Sequence, residues 1–75
     1  LPEGYKLQSF GNGHYTIIAS ERVLSMTLID PMGRKLETKL PTSNSIELNL
    51  ERQPDGLFLI LLETEVGIRT IRVLR

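Results

Sequence analysis

An all-β fold is what this sequence predicts, and three observations predict it. No window of the 75 residues keeps its apolar side chains at helical spacing. Apolar and polar residues instead alternate with a period of two, segment after segment. Glycine, proline and asparagine punctuate the chain between those segments.

Tyr5 to Phe10 alternates, and Gly11-Asn12-Gly13 then supplies the positive-φ residues of a tight hairpin. His14 to Ala19 continues with Tyr15, Ile17 and Ala19 on one face. After the polar break Ser20-Glu21-Arg22, Val23 to Asp30 places Leu24, Met26 and Leu28 on one side and Ile29 on the other. Asp30-Pro31-Met32-Gly33 is a turn with a mechanism: aspartate accepts backbone N–H bonds, proline presets φ, and glycine takes the left-handed conformation. Lys35 to Leu40 returns, with Leu36 and Leu40 flanking Thr38. Pro41 to Asn44 is loop, and Ser45 to Leu50 points Ile46, Leu48 and Leu50 inward, with Glu47 and Asn49 outward. Gln53-Pro54-Asp55-Gly56 is a second loop. The run Leu57 to Leu62 reads as a strand buried on both faces. A turn at Glu65-Val66-Gly67 then leads into Ile68 to Leu74. About seven short strands at this spacing make a small antiparallel immunoglobulin-like β-sandwich, with a small partly open barrel as the competing architecture.

Seventy-five residues make a single domain, spanning 1–75. So short a chain buries about 60–65% of the surface its unfolded form exposes, so its stability is expected to be marginal. With no cysteine, no disulfide or thiolate metal site reinforces it. The N-terminal Leu1-Pro2-Glu3-Gly4 has neither the basic nor the apolar region of a signal peptide, and the chain starts without methionine, so it reads as a fragment of a longer protein.

Charge and hydropathy exclude two function classes. Nine basic residues balance nine acidic ones, which argues against nucleic acid as a partner, since its binders carry a basic stripe. The unbroken apolar run Leu57 to Leu62 is far shorter than the roughly 20 residues of a bilayer-spanning helix, so no direct membrane span is expected. The densest apolar stretch is therefore a core strand.

Little in the sequence points to catalysis. His14 is the only histidine, and no Gly-x-Ser-x-Gly elbow accompanies it; just after a hairpin turn it reads as an exposed strand residue. The acidic residues are scattered rather than set at metal-ligand spacing, and Asp30 reads as a turn-stabilising acceptor. Gly11-Asn12-Gly13 lacks the helix and lysine of a phosphate-cradling loop. Two tyrosines and two phenylalanines make no stacking platform; Tyr5 and Tyr15 are expected to cap the core with their hydroxyls at its edge. An enzyme is not expected, and no cofactor.

Two stretches resemble one family. The segment Thr27-Leu28-Ile29-Asp30-Pro31-Met32-Gly33-Arg34-Lys35-Leu36 resembles a strand–turn–strand signature in which an apolar strand runs into Asp-x-x-Gly and then Arg or Lys. Gly56 to Leu62, a short turn, and Ile71-Arg72-Val73-Leu74-Arg75 resemble a closing hairpin with glycine, an aromatic two residues on (Phe58), alternating aliphatics and a basic last strand. The family is the C-terminal sorting domain of cargo proteins for the type IX secretion system of Bacteroidota. The resemblance covers about Tyr5 to Arg75. Two departures stand out: nothing matches the Tyr-Pro-Asn-Pro-like opening of many members, and Phe58 stands where tyrosine is common.

The resemblance implies a secretion signal rather than a catalyst. The parent would enter the periplasm by an N-terminal signal peptide and cross the outer membrane through the type IX translocon, with its shuttle and sortase proteins as partners. It would finish on the cell surface or secreted. In many members a sortase-like peptidase removes the domain, and some members keep it. An address read by a receptor needs a rigid, folded display, and arginines offer planar donors to a receptor carboxylate or carbonyl. Ile71, Arg72, Val73, Leu74 and Arg75 are therefore the candidate recognition segment, with Asp30, Gly33, Arg34, Gly56 and Phe58 as structural motif residues. A detached last strand would leave an open edge, which makes a strand-swapped homodimer an expectation. The alternative is a generic immunoglobulin-like binding or spacer module of a surface protein.

Overall fold

The structure, a computed structural model, describes residues 4–75; Leu1, Pro2 and Glu3, on which the reading of an absent leader rests, lie outside the described residues. Seven strands form two antiparallel sheets: β1 (Tyr5–Gly11), β2 (His14–Ala19), β3 (Val23–Ile29), β4 (Lys35–Lys39), β5 (Ser45–Asn49), β6 (Leu57–Thr64) and β7 (Gly67–Leu74). One sheet has the order β1-β2-β5 and the other β4-β3-β6-β7. This is an immunoglobulin-like sandwich in which the fourth strand pairs with the third rather than the fifth. Among the described residues no ladder joins the two sheets, which form a sandwich rather than the competing barrel.

The core sits between the sheets because alternate residues of each strand point to one face. The three-stranded sheet contributes Ile17, Ala19, Ile46 and Leu48, with Leu50 just beyond β5. The four-stranded sheet contributes Val23, Met26, Leu28, Phe58, Ile60, Leu62, Ile71 and Val73. Tyr5, Leu7 and Tyr15 pack half-buried at the margin, and the Tyr15 hydroxyl donates to the Leu74 carbonyl at 3.3 Å.

Two differences from the sequence reading, at Leu24 and in β6, have physical causes. Leu24 is not a core residue: a bulge between Val23 and Ser25 leaves it unpaired and 40% exposed, so Val23, rather than Leu24, joins Met26 and Leu28 inside. Leu36, on the edge strand β4, and Leu40, just beyond it, are exposed, and the Lys39 side chain donates to the Glu47 carbonyl at 3.0 Å. Finally, β6 is buried on one face rather than two. Phe58, Ile60, Leu62 and Thr64 are buried, while Leu57 is exposed and Leu59 and Leu61 are only half-buried beside their sheet neighbours.

Candidate functional site

The two motif stretches meet at one end of the sandwich. That end gathers the β1–β2 hairpin, the β3–β4 turn, the loop from Leu50 to Gly56 and the end of β7. The hairpin turn Asn12-Gly13 carries φ values of 54° and 78°, which suits the two-residue connection with left-handed geometry at both positions.

Asp30 organises the β3–β4 turn. Its carboxylate is 6% exposed and accepts three bonds: from the backbone N–H of Met32 at 2.9 Å, the backbone N–H of Arg34 at 2.8 Å, and Arg34 Nε at 2.9 Å. The Gly33 N–H donates to the Asp30 carbonyl at 2.9 Å and closes the turn, with Gly33 at φ 86°. The Arg34 backbone N–H foremost, helped by its guanidinium, holds the Asp30 carboxyl below its usual value against the opposing effect of burial. Asp30 is thus a turn acceptor, as the sequence reading had it.

Gly56 joins this turn to the closing hairpin. It sits at φ 150°, and a Cβ there would come within 2.6 Å of Pro31 Cγ, so only glycine lets the loop lie on the turn. Its N–H donates to the Arg75 carbonyl at 3.3 Å, and its carbonyl accepts the Arg75 N–H at 2.9 Å. Phe58 follows, fully buried.

The proposed recognition segment divides by face. Ile71 and Val73 point into the core, paired with Ile60 and Phe58. Arg72 and Leu74 point outward and are exposed, Leu74 at 76%. Arg75 reaches across the end of the sandwich: its Nε donates to the Leu50 carbonyl at 2.8 Å and its terminal nitrogen to the Glu51 carbonyl at 3.1 Å. The segment is brought together in chain order, and Arg72 and Leu74 are the two whose side chains are exposed and, among the described residues, make no hydrogen bond or ion pair.

Sequence reasoning missed two long-range features. Gly13 is the floor on which Arg75 lies; a Cβ there would meet the Leu50 carbonyl carbon at 2.8 Å and Arg75 Nε at 3.0 Å. The Glu21–Arg69 pair joins the β2–β3 connection to β7 at 3.0 Å. The Ser20 hydroxyl first, then Arg69, hold the Glu21 carboxyl below its usual range. Neither feature has a local sequence signal.

His14 bonds Glu51 at 3.3 Å, beside a groove of about 570 Å³ that Phe10, Thr16, Glu47 and Asn49 help to line. Among the described residues no group of three or more His, Cys, Asp or Glu side chains is placed to hold a metal ion, and no helix is long and apolar enough to cross a membrane.

Compared with known proteins, the chain matches no family model, no curated protein and no solved structure.

Proposed function

We propose that this domain is a sorting module that directs its parent protein through the type IX secretion system to the cell surface, and that it performs no chemistry itself. The reading rests on the resemblance of the Asp30–Arg34 turn and the Gly56–Arg75 hairpin to that family's motifs. The observation that carries it is that these two stretches pack together: Gly56 lies on Pro31 and pairs with Arg75, making one rigid end out of motifs that lie apart in sequence.

In this reading the receptor reads the outward residues of the edge strand β7, Arg72 and Leu74. Ile71, Val73 and Arg75 hold that strand in place, since two are in the core and the third is bonded to Leu50 and Glu51. A rigid display saves the receptor the entropy of ordering its target. The partners are the outer-membrane translocon and its shuttle or sortase proteins, met from the periplasm.

A second reading, a spacer or binding module of a surface protein, is favoured by one observation: the Arg75 guanidinium is spent on internal backbone carbonyls rather than offered outward. Export separates the two. A reporter carrying this domain at its C-terminus, expressed in a bacterium with the type IX machinery, reaches the surface if the domain is an address. It stays periplasmic if the domain is a spacer.

A further inference from the structure

An edge strand turns the N–H and C=O of every second residue away from its sheet, and most edges are blunted by bulges, shortness or lysine. Three of the four edges here are blunted. β1 carries a bulge between Ser9 and Gly11, and β4 has five residues and a register shift. β5 also has five residues, with Lys39 Nζ on its Glu47 carbonyl. The eight residues of β7, by contrast, pair with β6 from Gly67 to Leu74 without a shift.

Gly56 and Arg75 exchange both backbone bonds, so by alternation Val73, Ile71, Arg69 and Gly67 also turn their backbone groups to β6. Those of Leu74, Arg72, Thr70 and Ile68 face the open side. Among the described residues one of these groups has a hydrogen-bond partner there, the Leu74 carbonyl, which accepts from the Tyr15 hydroxyl. The same four residues put their side chains on the outer face of the sheet. Ile68 and Leu74 stand there 67% and 76% exposed.

Charge specifies what fits this edge. From Gly67 to Arg75 the side chains include three arginines and no carboxylate. Glu21 answers Arg69, and the Arg75 guanidinium lies on backbone carbonyls. Arg72 is exposed and, among the described residues, makes no ion pair; its cross-strand row of Leu59, Ile29 and Lys35 holds no acid. A second copy would set its own three arginines against these, so like charge disfavours self-pairing.

We propose that the open edge of β7 binds an extended acidic segment of a partner protein by strand addition, as a fifth strand of the four-stranded sheet. Backbone bonds to Ile68, Thr70, Arg72 and Leu74 supply the pairing. Ile68 and Leu74 take apolar residues opposite them, and Arg72 takes a carboxylate. This names how the partner in the sorting reading is held, and it rests on that reading's choice of β7.

The probe is the end-capped peptide Val-Thr-Glu-Val-Thr-Glu-Val. In antiparallel register its outer valines lie on Leu74 and Ile68 and its first glutamate on Arg72. Amide hydrogen exchange of the domain is followed by NMR with the peptide at about 1 mM, enough for a weak complex. Exchange at Ile68, Thr70, Arg72 and Leu74 is expected to slow about tenfold, while Arg69, Ile71 and Val73 are already protected by β6. N-methylation of the first glutamate, whose N–H faces β7 in this register, should abolish the effect. N-methylation of the central valine, whose N–H faces away, should preserve it. Lysine in place of both glutamates, or Arg72→Glu in a domain verified as folded by circular dichroism, should weaken binding about tenfold.

No slowing at these four amides overturns the proposal. So do two methylated peptides that act alike, or a lysine peptide that binds as well. Slowing that grows with domain concentration in the absence of peptide also overturns it and gives the edge to a second copy. Export fails separately: a domain that binds the peptide, yet is exported equally with and without Arg72, keeps the strand site and loses the sorting role.

Discussion

The Nε–H of Arg75 donates to the Leu50 carbonyl at 2.8 Å, and the backbone of the same residue pairs with Gly56. One residue thereby ties the last strand to the loop that leaves β5, on the opposite sheet. Charge-assisted bonds of this kind are worth more than neutral ones, and removing the guanidinium leaves the Leu50 carbonyl with the Gln53 N–H alone, at 3.0 Å. Arg75→Ala is expected to lower unfolding stability by about 1–2 kcal/mol, read by urea denaturation. Arg75→Lys should recover only part of it, because a single ammonium lacks the fork that reaches both carbonyls. Unchanged stability in the alanine variant would show that the clamp contributes nothing.

Gly13 and Gly11 separate two costs of adding a side chain. Both have left-handed φ, 78° and 83°, but a Cβ at Gly11 meets open space, whereas at Gly13 it strikes the Leu50–Glu51 backbone at 2.8 and 2.9 Å. Gly11→Ala should cost about 1 kcal/mol of backbone strain and Gly13→Ala clearly more, as the loop must move. Thermal melts of the two variants check the order.

Acid should weaken the Asp30 turn. The folded-state pKa of Asp30 is depressed, chiefly by the Arg34 N–H, so the stability it contributes is fully present above its unfolded value of about 3.9 and is lost as pH falls through the folded value. Glu21 is depressed in the same direction. Asp30→Asn should be less stable at neutral pH and lose less on acidification than the wild type does. Melts between pH 6 and 2 would show it; parallel curves would contradict it.

The two faces of the closing hairpin should respond unequally. Phe58 is fully buried against the core, and its truncation to alanine is expected to cost about 3–5 kcal/mol, enough to unfold a marginal domain. Leu74, paired beyond it on the exposed face, should tolerate serine with a change within about 0.5 kcal/mol.

Period-two patterning made all seven strands legible, since alternation along a strand is a local property. Turn chemistry at Asn12-Gly13 and Asp30-Pro31-Met32-Gly33 was legible for the same reason. Leu24 was misplaced because a bulge shifts phase by one residue, and its position depends on the β6 partner rather than on local sequence. The run Leu57 to Leu62 looked doubly buried because composition reports hydrophobicity and not whether a second layer exists. Arg75 read as a free basic end; its partners, Leu50 and Glu51, lie 25 and 24 residues away and are backbone atoms, which leave no trace in side-chain identity.

The most direct test of the sorting role is export of a reporter fused to the wild-type domain, to Arg72→Glu with Leu74→Ser, and to Lys6→Glu. The last makes the same charge change on the other sheet, where Lys6 is exposed. Removing Ile71 to Arg75 outright would be less informative, because it also takes Ile71 and Val73 from the core. The wild type and Lys6→Glu should reach the cell surface while the folded Arg72 and Leu74 variant stays periplasmic. Equal export of all three would contradict recognition through β7, and export of none would contradict the sorting function itself.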